Sequence, residues 1–233
     1  MAPNRLILFD IDGTLLVSRG CGLRAMHGAF QHVFGLDPRP AEILPHGKTD
    51  PILFEEMARA YGLPAERLRW RLEALEAVYA TGLEILLRDP GAVEVKPGVR
   101  LLLGALARRR DALLGVVSGN LERTAWLKLE AGGLAHFFEA GAFGSDARER
   151  ADLVALATRR FARRTNGGLA PRQVWVIGDT PDDVAGGHAN GTRTLAVATG
   201  RHDRETLAGC RPDVVLDDLR DTVRVVDILC EPA

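Results

Sequence analysis

Six short apolar runs set the limits on how this chain can fold. RLILFD near the N-terminus is followed by ALLGVVS at 112–118, FFEAGAFG at 137–144, VWVIGD at 174–179, TLAVAT at 194–199 and DVVLDD at 213–218. Runs of this length, apolar on both faces, read as buried strands. Between them the apolar residues change to helical spacing. Leu101, Leu102 and Leu106 follow Pro97-Gly98; Leu153, Val154, Leu156, Ala157 and Phe161 form a second set; Leu219, Val223, Val226 and Cys230 close the chain. Strands alternating with helices require right-handed crossovers, and so a parallel sheet covered on both faces. The expected class is α/β, a three-layer, doubly wound parallel sheet.

One stretch breaks the alternation. From residue 17 to about 95 no strand pattern is visible. Leu23, Met26, Phe30 and Val33 mark an amphipathic helix stopped near Gly35. Ile52, Leu53, Met57 and Tyr61 mark a second, stopped at Gly62, and Leu68, Leu72, Leu75, Tyr79 and Leu86 mark a long third. Asp89-Pro90-Gly91 reads as the exit turn. The expected organisation is a core of residues 1–16 and 96–233 with an all-helical cap, 17–95, inserted after the first strand. Arg19, Gly20 and Gly22 stand where the chain passes into the cap, as hinges or plain loop residues.

Charge excludes several classes of partner. The 30 Lys+Arg and 31 Asp+Glu leave a net charge of -1, so no global basic field is present to grip nucleic acid or an anionic membrane. Arg108-Arg109-Arg110 and RRFARR at 159–164 lie in helical patterns and read as solvated faces. No apolar run approaches the ~20 residues of a membrane helix, and MAPNRLILFD turns acidic too early for a signal peptide. Cys21, Cys210 and Cys230 are odd in number and scattered, which suits a reducing cytoplasm rather than a disulfide framework or zinc site. The six histidines (His27, His32, His46, His136, His188, His202) show no metal-ligand spacing.

The acidic residues fall at telling places. Asp10-Ile11-Asp12-Gly13-Thr14 follows the first strand, so Asp10 and Asp12 project together from its carboxyl end while Ile11 turns to the core. Two adjacent carboxylates in a partly dry site need a cation, a shared proton, or both. Gly178-Asp179-Thr180-Pro181-Asp182-Asp183 follows another buried run and opens a helix. Asp179 then joins the same edge, where ligands of open α/β sheets bind. Carboxylates converging there make a hard-oxygen site of the kind Mg²⁺ selects. Ser118-Gly119-Asn120, at a strand-to-helix turn, offers a hydroxyl and free N–H groups for a phosphate oxygen. Arg148 and Arg150 are the nearby cations. Within the insertion, Gly47-Lys48-Thr49-Asp50 precedes a helix; Lys48 either reaches a substrate anion or belongs to a capping turn.

Taken in order, these segments resemble the motifs of the haloacid dehalogenase-like hydrolases, of the phosphatase type with a helical cap, and most of all the phosphoglycolate-phosphatase-like members. DIDGT resembles the first motif, DxDGT; Ser118 the second; Arg150 falls at the third; GDTPDD resembles the fourth, GDxxxD, at Asp179 and Asp183. The resemblance implies that Asp10 attacks phosphorus to form an aspartyl-phosphate, and that Asp12 is the general acid and then base. It implies Mg²⁺ held by Asp10, Asp179 and the backbone carbonyl of Asp12, with Asp183 acting through water or behind the ligands. Ser118, Gly119 and Asn120 would orient the phosphoryl group. The third motif usually carries Lys, often followed by Pro; here Arg150-Ala151 stands there, so Arg150 substitutes, or Arg148 does, or the site is weakened.

The leading expectation is hydrolysis of a small phosphorylated metabolite by a monomer or homodimer. A phosphotransferase or sugar-phosphate mutase would use the same chemistry with an alcohol as acceptor. Dehalogenation is disfavoured because Asp12 is present, and phosphonate hydrolysis would need Lys48 as a Schiff-base nucleophile. A non-catalytic binding protein on the same fold is supported by the Arg at the third motif and opposed by the retained acids.

Overall fold

The computed structural model describes residues 4–36, 47–165 and 168–231. His46 and the rest of 37–46 therefore lie outside the described residues. The main sheet has six strands, all pairing in parallel: β1 (Arg5–Phe9), β4 (Ala112–Ser118), β5 (Gly141–Phe143), β6 (Val174–Gly178), β7 (Arg193–Val197) and β8 (Val214–Leu216), in the order β5-β4-β1-β6-β7-β8. β1 is central, between β4 and β6. The chain reverses its direction of strand addition there, and loops leaving neighbouring carboxyl ends meet.

β1 shows why the sheet needs a layer on each side. Ile7 and Phe9 point into a cluster with Val99, Leu102, Leu103 and Leu106 of α4 (Val99–Ala107), Leu129 of α5 (Glu122–Ala131) and Leu229 of α9 (Thr222–Cys230). Leu6 and Leu8 point the other way, against Leu153, Val154, Ala157 and Phe161 of α6 (Arg150–Ala162). α7 (Pro181–Ala189) and α8 (Arg204–Gly209) complete the core, with Val184 and Leu207 buried together beside β7.

The cap is α1 (Cys21–Phe34), α2 (Asp50–Ala60) and α3 (Ala65–Leu87). These helices share an apolar cluster of their own around Phe30, Phe54, Met57, Leu75, Tyr79 and Leu83, joined from the core side by Leu121. Phe54 meets Tyr79 edge-on, with ring centroids 5.7 Å apart.

The structure corrects several local expectations. Two strands do occur at the limits of the insertion: β2 (Leu16–Val17) pairs antiparallel with β3 (Glu94–Val95), tying together the two chain passages between core and cap. Two-residue strands are too short to leave an alternating pattern in sequence. Leu101 and Val223 are exposed, 71% and 73%, while Leu103 and Val225 are buried, so the apolar faces of α4 and α9 are turned from the expected phase. Leu72 lies on the exposed side of α3. Only Gly141–Phe143 of the FFEAGAFG run is strand; Ala135–Phe137 forms one 3₁₀ turn. Among the described residues no helix is long and apolar enough to cross a membrane.

Candidate active site

The carboxyl ends of β1, β4 and β6 supply the site. The Asp10 N–H donates to Ile177 O at 2.9 Å, which extends strand geometry one residue beyond β1, and Ile11 is fully buried in the core. Gly13 then turns the chain with φ 93°. Asp10 is buried, whereas the Asp12 side chain is 42% exposed. Carboxylate oxygens of Asp10, Asp179 and Asp183 all lie within 4.8 Å of one another.

Each member of this cluster is held from behind. The Thr14 hydroxyl donates to Asp179 Oδ1 at 2.8 Å. A Cβ at Gly200 would stand 1.7 Å from Asp179 Oδ2, so only glycine lets this loop close over that carboxylate. Asp183 does two things. Its Oδ2 accepts from the Thr180 N–H (3.1 Å) and hydroxyl (2.7 Å), capping α7, while its Oδ1 is buried with no hydrogen-bond partner and faces Arg150 Nε at 3.3 Å. Asp182, its neighbour in sequence, is exposed.

Arg150 opens α6 and is buried. Its Nη1 donates to Asp10 Oδ1 (3.1 Å) and to Val117 O (2.9 Å). Arg148 instead makes a two-pronged pair with Glu55 of α2 at the surface, 2.6 and 2.7 Å. Of the two arginines at the third motif, the structure brings Arg150 to Asp10.

Ser118 ends β4, and its Oγ accepts from the Asn120 side chain at 2.8 Å. Gly119 is where the cap's main chain touches the core: its carbonyl accepts from Asp50 N at 2.7 Å, and a Cβ there would fall 2.3 Å from Lys48 O. The Lys48 ammonium pairs with both Glu56 oxygens at 2.8 Å.

Sequence reasoning missed Lys128 and Asp50. Lys128, on α5, donates to Asp12 Oδ2 at 2.6 Å and to Asn120 Oδ1 at 2.7 Å. Asp50 is buried at the start of α2, its Oδ2 accepting from Leu121 N (2.9 Å) and the Thr124 hydroxyl (3.3 Å). One signal pointed to Lys128. The chain has only three lysines among its 30 cationic residues, and all three, Lys48, Lys96 and Lys128, line one cavity of about 610 Å³ together with Asp10, Asp12 and Arg150.

The electrostatics follow from crowding acids in a dry place. Burial pushes the Asp10 carboxyl well above its ordinary value; Arg150 opposes this, and the charges of Asp183, Asp179 and Asp12 add to it. Asp179 is raised to about 7, first by burial and then by Asp183, against the Thr14 hydrogen bond. A divalent cation would relieve both. The all-oxygen cluster, with Asp183 Oδ1 buried, ion-paired with Arg150 and without a hydrogen bond, fits such an ion.

Clustered carboxylates past the central strands of a parallel sheet, with a helical lid over them, define a capped α/β enzyme. The chain belongs to the haloacid dehalogenase-like hydrolase family, whose model matches residues 4–191. It is similar to pyrophosphatase PpaX of Oceanobacillus iheyensis, 26% identical over 229 residues covering 95% of this chain and 96% of that protein. It is also similar to phosphoglycolate phosphatase 1 of Pseudomonas aeruginosa, 28% identical over 231 residues covering 97% and 81%. A solved structure of a predicted phosphoglycolate phosphatase from Haemophilus somnus shares the fold, with TM-score 0.74 at 20% identity, covering 97% of this chain and 99% of that one.

Proposed function

We propose that the protein is a Mg²⁺-dependent phosphatase that hydrolyses a small phosphomonoester through an aspartyl-phosphate on Asp10. The observation that carries the reading is the division of labour between two neighbouring acids. Asp10 is buried beside Arg150 and the other cluster acids, while Asp12 stands half-exposed in the cavity on the flank of Lys128 and Asn120. The phosphatase relatives support the same reading.

In the first step an Asp10 oxygen attacks phosphorus, the ester P–O bond breaks, and Asp12 gives a proton to the leaving alcohol oxygen. In the second, Asp12 takes a proton from water, the water oxygen attacks phosphorus, the Asp10–phosphorus bond breaks, and inorganic phosphate leaves. Arg150 bears on the phosphoryl charge from beside Asp10; Ser118, Gly119 and Asn120 line the same cavity and would orient the phosphoryl group. Asp10, Asp179 and the backbone carbonyl of Asp12, with Asp183 behind them, would hold Mg²⁺, which would supply further neutralisation of that charge. The odd number and scatter of the three cysteines support action in the reducing cytoplasm.

The test is phosphate release from a small alkyl phosphate and an aryl phosphate, with and without Mg²⁺, for the wild type and Asp10→Asn. The reading requires turnover that needs Mg²⁺ and is lost in Asp10→Asn, with acid-quenched wild type carrying phosphate on Asp10. Capture of the phosphoryl group by added sugar alcohol in place of water would shift the reading to a transferase.

A further inference from the structure

We infer that Lys128 is a positioning residue for the general acid: with Asn120 it grips one oxygen of Asp12 so that the other faces the leaving group, and the cap braces this arrangement through Asp50. The inference rests on the phosphatase reading above and adds to it a residue outside the four motifs.

The geometry is one-sided. Asp12 Oδ2 accepts from Lys128 Nζ at 2.6 Å and from Asn120 Nδ2 at 2.7 Å. Among the described residues Asp12 Oδ1 has no hydrogen-bond partner, and it belongs to a side chain 42% exposed at the cavity, whereas the Lys128 side chain is only 5% exposed. A buried ammonium behind and an open oxygen in front is the arrangement that orients a carboxyl toward a ligand. Lys128 also donates to Asn120 Oδ1 at 2.7 Å, which fixes the amide's orientation so that its NH₂ meets Asp12 and Ser118. The three groups therefore lock one another.

Residue choice points the same way. The chain uses arginine for nearly all its positive charge and places its three lysines on this cavity. Lys48 is held by Glu56 and Lys96 by the Thr199 carbonyl; Lys128 is the lysine on Asp12. A compact ammonium can send bonds from one nitrogen to both Asp12 and Asn120; a planar guanidinium spreads its donors over a wider fork.

The brace comes from the cap. Thr124 and Lys128 are i and i+4 on α5 and so share a face. Asp50 binds that face through the Leu121 N–H and the Thr124 hydroxyl, and its own N–H binds Gly119 O, next to Asn120. The positive charge of Lys128 also acts on Asp50. Docking of the cap thus presses on the segment that aims Asp12.

A general acid matters only when the leaving group needs a proton, and this separates aim from mere fold. Wild type, Lys128→Gln, Lys128→Arg and Asp12→Asn are assayed with Mg²⁺ on an alkyl phosphate and on p-nitrophenyl phosphate, with thermal unfolding of each. Lys128→Gln is expected to lose about 100-fold in kcat/KM on the alkyl ester and only a few-fold on the aryl ester, because kcat/KM reports formation of the aspartyl-phosphate, whereas its hydrolysis, with Asp12 as base, is common to both esters and enters kcat alone. Lys128→Arg, keeping charge but not the point geometry, is expected to show the same contrast in weaker form, and serves if Lys128→Gln does not fold. In the Asp12→Asn background, Lys128→Gln should cost almost nothing more. Equal losses in kcat/KM on the two esters would overturn the inference. A wild type inert toward both esters would instead defeat the phosphatase reading on which it stands.

Discussion

The Arg150 guanidinium spans two buried carboxylates: Nη1 lies 3.1 Å from Asp10 Oδ1 and Nε lies 3.3 Å from Asp183 Oδ1. No single-point cation replaces both contacts at once. Arg150→Met leaves two buried acids without their counter-charge and should lower stability by roughly 3–5 kcal/mol. Arg150→Lys keeps the charge but surrenders one partner; it should fold and lose roughly 10–100-fold in turnover through misplacement of Asp10. Denaturant unfolding and phosphate release decide the matter. An Arg150→Met protein as stable and active as the wild type would remove Arg150 from the site.

Metal stripping gives a second prediction. Asp10, Asp179 and Asp183 bring three acidic groups within 4.8 Å against one arginine, so a divalent ion should raise stability as well as permit turnover. At a hundredfold excess over its Kd, Mg²⁺ should add about 2.7 kcal/mol to metal-free protein. The ion must displace protons from carboxyls held high by burial, Asp179 to about 7. Affinity should therefore rise with pH up to about 7, as Asp179 ionises, and fall as pH drops below it. Thermal unfolding across a Mg²⁺ titration at several pH values measures this, with Asp179→Asn as the control that loses the response. A melting temperature that ignores Mg²⁺ at every pH would contradict the assignment.

The glycine beside Asp179 allows a sharper test than removing the acid. At Gly200 a methyl group would sit 1.7 Å from Asp179 Oδ2, so Gly200→Ala has to displace that carboxylate or its own loop. Turnover should fall on the order of 100-fold, by the cost of a misplacement near 1 Å, while the fold persists. Gly28→Ala is the matched control. Gly28 lies on the exposed side of α1 with nothing within 4 Å of the added methyl, so it should stabilise by about 0.5–1 kcal/mol and leave activity alone.

The layered architecture was legible because strands of a parallel sheet carry short two-faced apolar runs, and Asp10, Asp179 and Ser118 each end one. Order along the chain, however, does not say which strand lies beside which. That β1 sits between β4 and β6, and so gathers these residues, is a matter of topology. Asp183 was ambiguous for a chemical reason: its two oxygens have separate jobs, one capping α7 and one facing Arg150. Lys128 stayed hidden because it acts from mid-helix, ten residues past β4, where its neighbours in sequence, Leu127 and Leu129, advertise only packing. The apolar faces of α4 and α9 were misphased because Leu101 and Val223, although apolar, point to solvent, and apolar residues are common at surfaces.

Asp50 gives the last prediction, on stability against pH. Burial raises its carboxyl to about 6, and the Lys128 charge and the Leu121 N–H only partly oppose this. A carboxyl that holds its proton more tightly folded than unfolded makes the folded state bind more protons between the two values. Its contribution therefore favours folding at low pH and is lost as pH rises from about 4 through about 6. The difference between the folded and unfolded values corresponds to at most about 3 kcal/mol. Asp50→Asn keeps an oxygen for the Leu121 N–H and removes the ionisation. Its stability should run flatter than that of the wild type over this range and match or exceed it at pH 7.5. Urea unfolding at half-unit pH steps measures both slopes. Superimposable curves for the two proteins would mean that Asp50 titrates no differently folded than unfolded.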